Sequence, residues 1–310
     1  MSLGRYHWLG LYLRGVAMGA ADLVPGVSGG TIALITGIYA RFIEAIASVG
    51  IDALRMVLAG KIKDAWACVD GNFLVAVGAG ISSSVIALAS ILNWLILNYP
   101  LPLWSLFCGL ILASAIHLFY HSRVGWTGRE YTLWLTGVGV ATLIGLTQAT
   151  QLQVGPASVF FAGAVAVSAM LLPGVSGSFL LLILGMYQPV ISALVNLDFV
   201  TVGIFALGCL CGLLAFSRLL KALLARAQRA TMAILYGFLL GSVIMLWPWQ
   251  QPVLSVIDRH GENRVVQSVP VLPQTYQELV GEPMLWLCLV TFTLGVGLVS
   301  LLSSFGSVER

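Results

Sequence analysis

The sequence predicts an all-α polytopic membrane protein built as two inverted-topology repeats, each with one re-entrant helical hairpin and about three transmembrane helices. Three observations lead there: an apolar composition divided into membrane-length runs, a glycine-rich phrase that occurs twice, and a one-sided distribution of lysine and arginine. Hydrophobic residues make up 59% and charged residues 9% of the 310, where soluble domains carry about 25% charge. The weak alternating segments of a β-barrel do not fit this pattern. A formal net charge of +3 is too small to suggest a nucleic-acid partner. The five cysteines show no CxxC spacing and lie mostly in apolar runs, so they read as small core residues rather than as disulfide or metal sites.

The apolar runs, bounded by charge, proline or glycine clusters, are 6–24, 28–40, 72–97, 102–120, 131–148, 157–172, 176–195, 199–217, 231–249 and 284–304. The longer ones approach the roughly 20 residues that a helix needs to cross the hydrocarbon. Arg14 interrupts the first run, which is therefore expected to be retained rather than removed as a signal peptide. "DLVPGVSGGTIALITGIY" at 22–39 returns as "MLLPGVSGSFLLLILGMY" at 170–187, 148 positions later. Pro25 and Pro173 lack a backbone donor and the adjoining glycines permit angles that other residues resist, so a helix stops there. The arms on either side are short for a full crossing. Each pair is expected to form a hairpin that dips into the membrane and returns, near 6–40 and near 157–195.

Repeat 1 then covers 1–150, with an amphipathic cytoplasmic segment at 44–70 that has no counterpart. Repeat 2 covers 151–310, with three crossings and an external polar loop at 250–283. One hairpin plus three crossings is an odd number of passages, so the second repeat enters from the opposite side. The positive charges agree. With both termini cytoplasmic, 13 of the 15 lysines and arginines fall inside, in loops 41–70, 121–130 and 218–230, on Arg14 and at the termini; only Arg259 and Arg264 fall outside.

After each Pro-Gly-Val a new half-helix begins at Ser28 or Ser176, exposing unpaired backbone N–H groups and the positive end of a helix dipole. Ser28, Thr31, Ser176 and Ser178 add hydroxyls, and Gly29, Gly30 and Gly177 let an anion approach the backbone. Such a site suits phosphate. A single copy of the phrase would be explained as a tight turn that lets helices pack closely; two copies in opposed halves favour a pair of binding tips. Charges inside the membrane are costly to bury and draw attention to function. Asp22 precedes the first break, where the second half has Met170; it offers a proton or cation carrier, a partner for Arg14, or a helix cap. Arg14, two turns earlier, either reaches the phosphate or snorkels to the interface. Arg41 and Glu44 follow the first half-helix and are expected to pair at the cavity mouth. Asp198 and Arg218 are expected to mark the ends of one crossing. His117 and His121 lack a visible third ligand and read as interfacial, so no metal and no cofactor is expected.

The paired Pro25-Gly26-Val27-Ser28-Gly29-Gly30-Thr31 and Pro173-Gly174-Val175-Ser176-Gly177-Ser178, Asp22 ahead of the first, and the endings Gly37-Ile38-Tyr39 and Gly185-Met186-Tyr187 resemble the bacterial and archaeal polyprenyl-phosphate transporter family, over nearly the whole chain. The resemblance implies return of undecaprenyl phosphate from the outer to the cytoplasmic leaflet of the bacterial inner membrane for cell-envelope synthesis. The expected mechanism holds the phosphate between the hairpins at Ser28 and Ser176, with Arg14 or Arg41 neutralising it and the isoprenoid tail left in lipid. Rocking of the repeats would alternate access, with Asp22 or Glu44 coupling it to protons or sodium. The expected partners are the lipid and the membrane, and a homo-oligomer is left open. Two alternatives stand beside this: an undecaprenyl-pyrophosphate phosphatase-like enzyme, whose loop continues with arginine and whose paired glutamates are not seen here, and an anion channel.

Overall fold

The computed structural model describes residues 5–23, 28–147, 152–257 and 263–306. The first break at Pro25-Gly26-Val27, and Arg259 and Arg310, lie outside the described residues. The chain begins with α1 (Arg5–Asp22), α2 (Gly29–Ile35) and α3 (Tyr39–Ser48), followed by two short helices, α4 (Ile51–Leu58) and α5 (Ile62–Cys68). Three long helices follow: α6 (Gly71–Asn98), α7 (Pro100–Ser122) and α8 (Gly128–Leu146). The second half opens the same way, with α9 (Pro156–Leu171), α10 (Gly177–Ile183) and α11 (Tyr187–Val195), and continues into α12 (Phe199–Gly241). A 3-10 turn at Ser242–Leu246 leads to β1 (Gln250–Ile257), β2 (Asn263–Pro270), α13 (Pro273–Leu279) and α14 (Leu285–Gly306).

Two expectations are refined here and two are corrected. The 44–70 segment consists of the end of α3 plus α4 and α5, with Gly50 at the head of α4 and Gly60, at φ +75°, just past its end. The 218–230 stretch, expected as a loop, is a sharp junction within α12. Two helices meet there at a kink on Ala227 (φ −146°, ψ 55°), so the break falls inside the expected stretch but is confined to one residue, and its basic residues, which favour helix, are helical on either side of it. The polar segment 250–283 is not a plain loop in an all-helical chain: β1 and β2 pair antiparallel, with the register irregular between Pro252 and Ser255, as a proline that cannot donate to the ladder requires. Finally, runs 28–40 and 176–195 are each broken once more. Gly37 (φ +76°) and Gly185 (φ +69°) end α2 and α10, and in both the next residue's N–H reaches back five positions, from Ile38 to Ala33 and from Met186 to Leu181. That is a Schellman-type stop, which needs a left-handed residue and so a glycine. Beyond the second stop the chain turns by 107° from α10 into α11.

Among the described residues, α6, α7 and α12 with its following turn are long and apolar enough to cross a membrane, and the bent pair α10–α11 would make a fourth span. The outer surface is apolar as well. Ile86, Phe199 and Trp286 are each more than three-quarters exposed, which in water would be a liability and in lipid is the favourable arrangement. Inside, Leu11, Met18, Tyr39, Ile43, Phe73, Val77, Leu235 and Leu239 join α1, α3, α6 and α12 in one core.

Four helix pairs cross so closely that glycine is needed at the contact. In the α1–α6 pair, a Cβ on Gly15 would overlap the Val77 carbonyl and one on Gly80 the Tyr12 carbonyl. In the α9–α12 pair, Gly163 meets Phe205 and Gly208 meets Phe160 in the same way. The α7–α14 pair sets Gly109 on Phe292 and Gly295 on Leu106, and the pair of α8 with the end of α12 sets Gly237 on Trp134 and Gly137 on Ile234. Small residues allow such approach, where dispersion and Cα–H···O contacts replace the hydrophobic drive that lipid removes. The α1–α6 contact moves from Gly15–Val77 to Gly19–Ile81, and the α9–α12 contact from Gly208–Phe160 to Gly212–Ala164. Advancing one turn on both partners at once means that each of these pairs runs parallel.

Candidate functional site

The head of α2 meets the end of α9 and the second break. Ser28, 1% exposed, caps α2: its hydroxyl accepts from the Gly30 N–H (3.1 Å) and donates to the Met170 carbonyl at the end of α9 (2.8 Å). Thr31, wholly buried, accepts the Gly174 N–H at 2.8 Å, and the buried Tyr39 hydroxyl donates to the Leu171 carbonyl at 2.8 Å. Three bonds therefore tie the first half-helix and its return to the end of α9 and the second break. A Cβ on Gly30 would come within 2.9 Å of the Met170 carbonyl oxygen, so only glycine lets the two pieces of backbone approach this far.

Around this junction the two tips differ. On the first side, Asp22 at the end of α1 turns its carboxylate to the start of α2, where Oδ1 accepts the Gly29 N–H at 2.6 Å. The Gly30 N–H goes to Ser28 and the Thr31 N–H to the Ser28 carbonyl (2.9 Å). The donors at the head of α2 are thus engaged by the protein itself, with a carboxylate at the positive end of the helix. On the second side, Ser176 begins α10 but makes no side-chain cap bond to it. Its hydroxyl lies 2.9 Å from that of Ser178, which is exposed. Met170 takes the place that Asp22 takes on the first side: a Cβ on Gly177 would meet Met170 Cγ at 2.8 Å, as one on Gly29 would meet Asp22 Oδ2 at 2.6 Å. A thioether accepts hydrogen bonds only weakly.

The other expected residues are placed apart from the tips. Arg41 does not pair with Glu44. Its Nε donates to Asp70 Oδ2 (2.7 Å) and its guanidinium lies 4.5 Å from the centre of the Phe73 ring, while Glu44 pairs with Lys221 of α12 (3.4 Å). On a helix the two residues are three apart and within reach of each other, but partners on other elements win. Arg14 is half-buried on α1. Asp198 caps α12 through the Val200 and Thr201 N–H groups, and the Thr201 hydroxyl donates to it at 2.6 Å; these bonds hold its carboxyl below the usual carboxylate range. Arg218 donates to the Val49 carbonyl (3.0 Å) at the end of α3, a cation at a helix C-terminus. His121 bonds the His117 carbonyl of its own helix, and among the described residues no group of three or more metal-ligating side chains comes together.

Tyr39, Asp70 and Phe73 were missed as site partners in the sequence. Tyr39 was visible only as part of a repeated Gly-x-Tyr ending, and Asp70 stands in a left-handed conformation (φ +49°) that no local pattern announces.

The undecaprenyl phosphate translocase-like family matches residues 18–264, which contain both tips. A polyprenyl-phosphate transporter of Vibrio cholerae is 38% identical over 296 residues, 94% of this chain and 95% of that protein. A polyprenyl-phosphate transporter of Staphylococcus aureus is 33% identical over 261 residues, 79% of this chain and 87% of that protein. No solved structure matches. A multi-pass helical chain in which the head of α2 packs on the second glycine-rich break is thus joined to named relatives over nearly its whole length, and the chain belongs to the undecaprenyl phosphate translocase-like family.

Proposed function

We propose that this protein carries a polyprenyl phosphate, undecaprenyl phosphate in the first instance, from the outer to the cytoplasmic leaflet of the bacterial inner membrane by alternating access. The observation that carries the reading is the contrast between the heads of α2 and α10: the second keeps the Ser176–Ser178 hydroxyl pair at its edge, while the first is closed by the Asp22 carboxylate. A phosphate cannot cross hydrocarbon bare, because an unpaired charge in a low dielectric costs many kcal/mol. It is received first by Ser176, Ser178 and the start of α10. Ser28, Gly29, Gly30 and Thr31 receive it when Asp22 withdraws from Gly29, and Arg14 supplies the countercharge. Asp22 is then the group whose protonation, or whose exchange for sodium, couples transport to an ion gradient.

The inverted repeat belongs to the same proposal. Because α1 and α6 run parallel, the chain between them returns to the side it left; the same holds for α9 and the first part of α12. The glycine crossings also correspond at constant offsets. Tyr12 and Gly15 lie 148 positions before Phe160 and Gly163, Val77 and Gly80 lie 128 before Phe205 and Gly208, and Trp134 and Gly137 lie 158 before Phe292 and Gly295. The first change of offset falls at α4–α5, and the second at β1, β2 and α13. This supports two copies of one unit with one insertion each. Opposed copies put both termini in the cytoplasm and let the tips exchange which leaflet they face.

The test is leaflet-resolved transport of undecaprenyl phosphate by the purified protein in liposomes, with and without proton or sodium gradients. Transport by the wild type and loss in a Ser176→Ala, Ser178→Ala double variant are expected; full transport by that variant would overturn the phosphate site.

A further inference from the structure

Beside the second tip lies an apolar cavity of about 300 Å³, walled by α8, α9, α10 and α12. Its shape follows from residue size: Ala164, Ser168 and Ala169 on α9 leave room opposite Phe216 and Phe238. The only hydroxyl in its wall, on Ser168, is engaged with the Ala164 carbonyl at 2.7 Å, so no free donor faces the space. Leu172 and Val175 form the end of the wall nearest the tip, and Val175 is the residue immediately before Ser176. Val165, 43% exposed, forms part of the wall at the outer surface of the molecule.

We propose that this cavity binds the phosphate-proximal isoprene units of the polyprenyl chain, so that the protein recognises the start of the tail as well as the head. This rests on the phosphate reading above. A head held by Ser176 and Ser178 fixes the attached carbon chain within a few ångströms, and the apolar space next to those hydroxyls is this one. The occupant's chemistry fits on three counts. The wall has nothing to satisfy a polar ligand. At a packing density of about 0.75, a five-carbon unit needs on the order of 120 Å³, so the cavity takes about two to three units. The opening at Val165 lets the rest of a long chain continue into lipid. Branched, rigid isoprene units also fill such a pocket with less loss of conformational freedom than a straight alkyl chain of equal carbon count.

The experiment measures binding to the full-length protein in nanodiscs of dimethylallyl phosphate (one unit), farnesyl phosphate (three units), dodecyl phosphate and farnesol. Farnesyl phosphate is expected to bind about tenfold or more tightly than dimethylallyl phosphate, and more tightly than dodecyl phosphate. Val165→Phe and Ala169→Phe, which fill the space, are expected to erase the gain from one unit to three. Should Ala169→Phe fail to fold, Val165→Phe at its exposed position decides. An unchanged farnesyl-to-dimethylallyl ratio in Val165→Phe overturns the proposal, and so does equal binding of one and three units by the wild type. Farnesol separates the two readings: binding that is lost in Val165→Phe sustains the cavity even where the Ser176→Ala, Ser178→Ala variant binds farnesyl phosphate normally, a result that removes only the phosphate site.

Discussion

The first tip and the second share a sequence phrase, a seven-residue half-helix and a glycine stop, yet one is chemically closed and the other open. Asp22 accepts the Gly29 N–H and Ser28 the Gly30 N–H, whereas Met170 and Ser176 leave the start of α10 without a side-chain cap. The difference resides in three pairs of residues 148 positions apart: Asp22 and Met170, Gly30 and Ser178, and Thr31 and Phe179. It teaches that two stretches can share a backbone pattern without sharing its chemistry, and that the asymmetry sits at the helix heads rather than where the long helices pack.

The sharpest way to break that comparison is to show that the scaffold is not equivalent in the two halves. Gly80→Leu and Gly208→Leu each push a side chain into backbone carbonyls that no rotamer can avoid, and overpacking against backbone costs 1–3 kcal/mol or more. Both variants should lose yield and thermal stability to a similar degree, measured by size-exclusion chromatography after heating. Next comes the tip chemistry. Met170→Asp gives the second tip the carboxylate of the first, and liposome transport should fall about tenfold or more through repulsion of the phosphate, with stability little changed. Thr31→Val leaves the buried Gly174 N–H without its acceptor and should lower stability by about 1–3 kcal/mol, read as a shift in the denaturation midpoint. The smallest expected effect is that of Asp22→Asn. An amide oxygen still accepts from Gly29, so stability should change by less than about 1 kcal/mol, while the dependence of transport on an ion gradient disappears; a variant with unaltered gradient dependence would remove Asp22 from coupling.

Much of this architecture was legible in the residues because lipid leaves few choices: apolar runs had to be helices, and Pro-Gly had to interrupt them. The like openings of the two halves, a helix, a seven-residue half-helix and a glycine stop, were readable from the repeated phrase. What escaped was decided by partners remote in sequence. Arg41 found Asp70, and Glu44 found Lys221, because a charge takes the best-placed opposite charge in space. The break between the two parts of α12 was readable in the basic stretch 218–230, but not that it would narrow to Ala227, because the four basic residues that look like a loop favour helix. The β1–β2 pairing of a polar segment carried no period that the flanking runs would reveal. At the site, the hydroxyls and glycines were identified, but the occupation of the first tip by Asp22 depends on how the end of α1 turns towards α2.

The close crossings α7–α14 and α8–α12 each join a helix of the first half to one of the second, so neither half can bury its own last helices. A chain cut at 148–151 should therefore yield two fragments that are each insoluble or degraded alone and that recover function only when made together. The two halves are interlocked through these crossings, so that each completes the packing of the other.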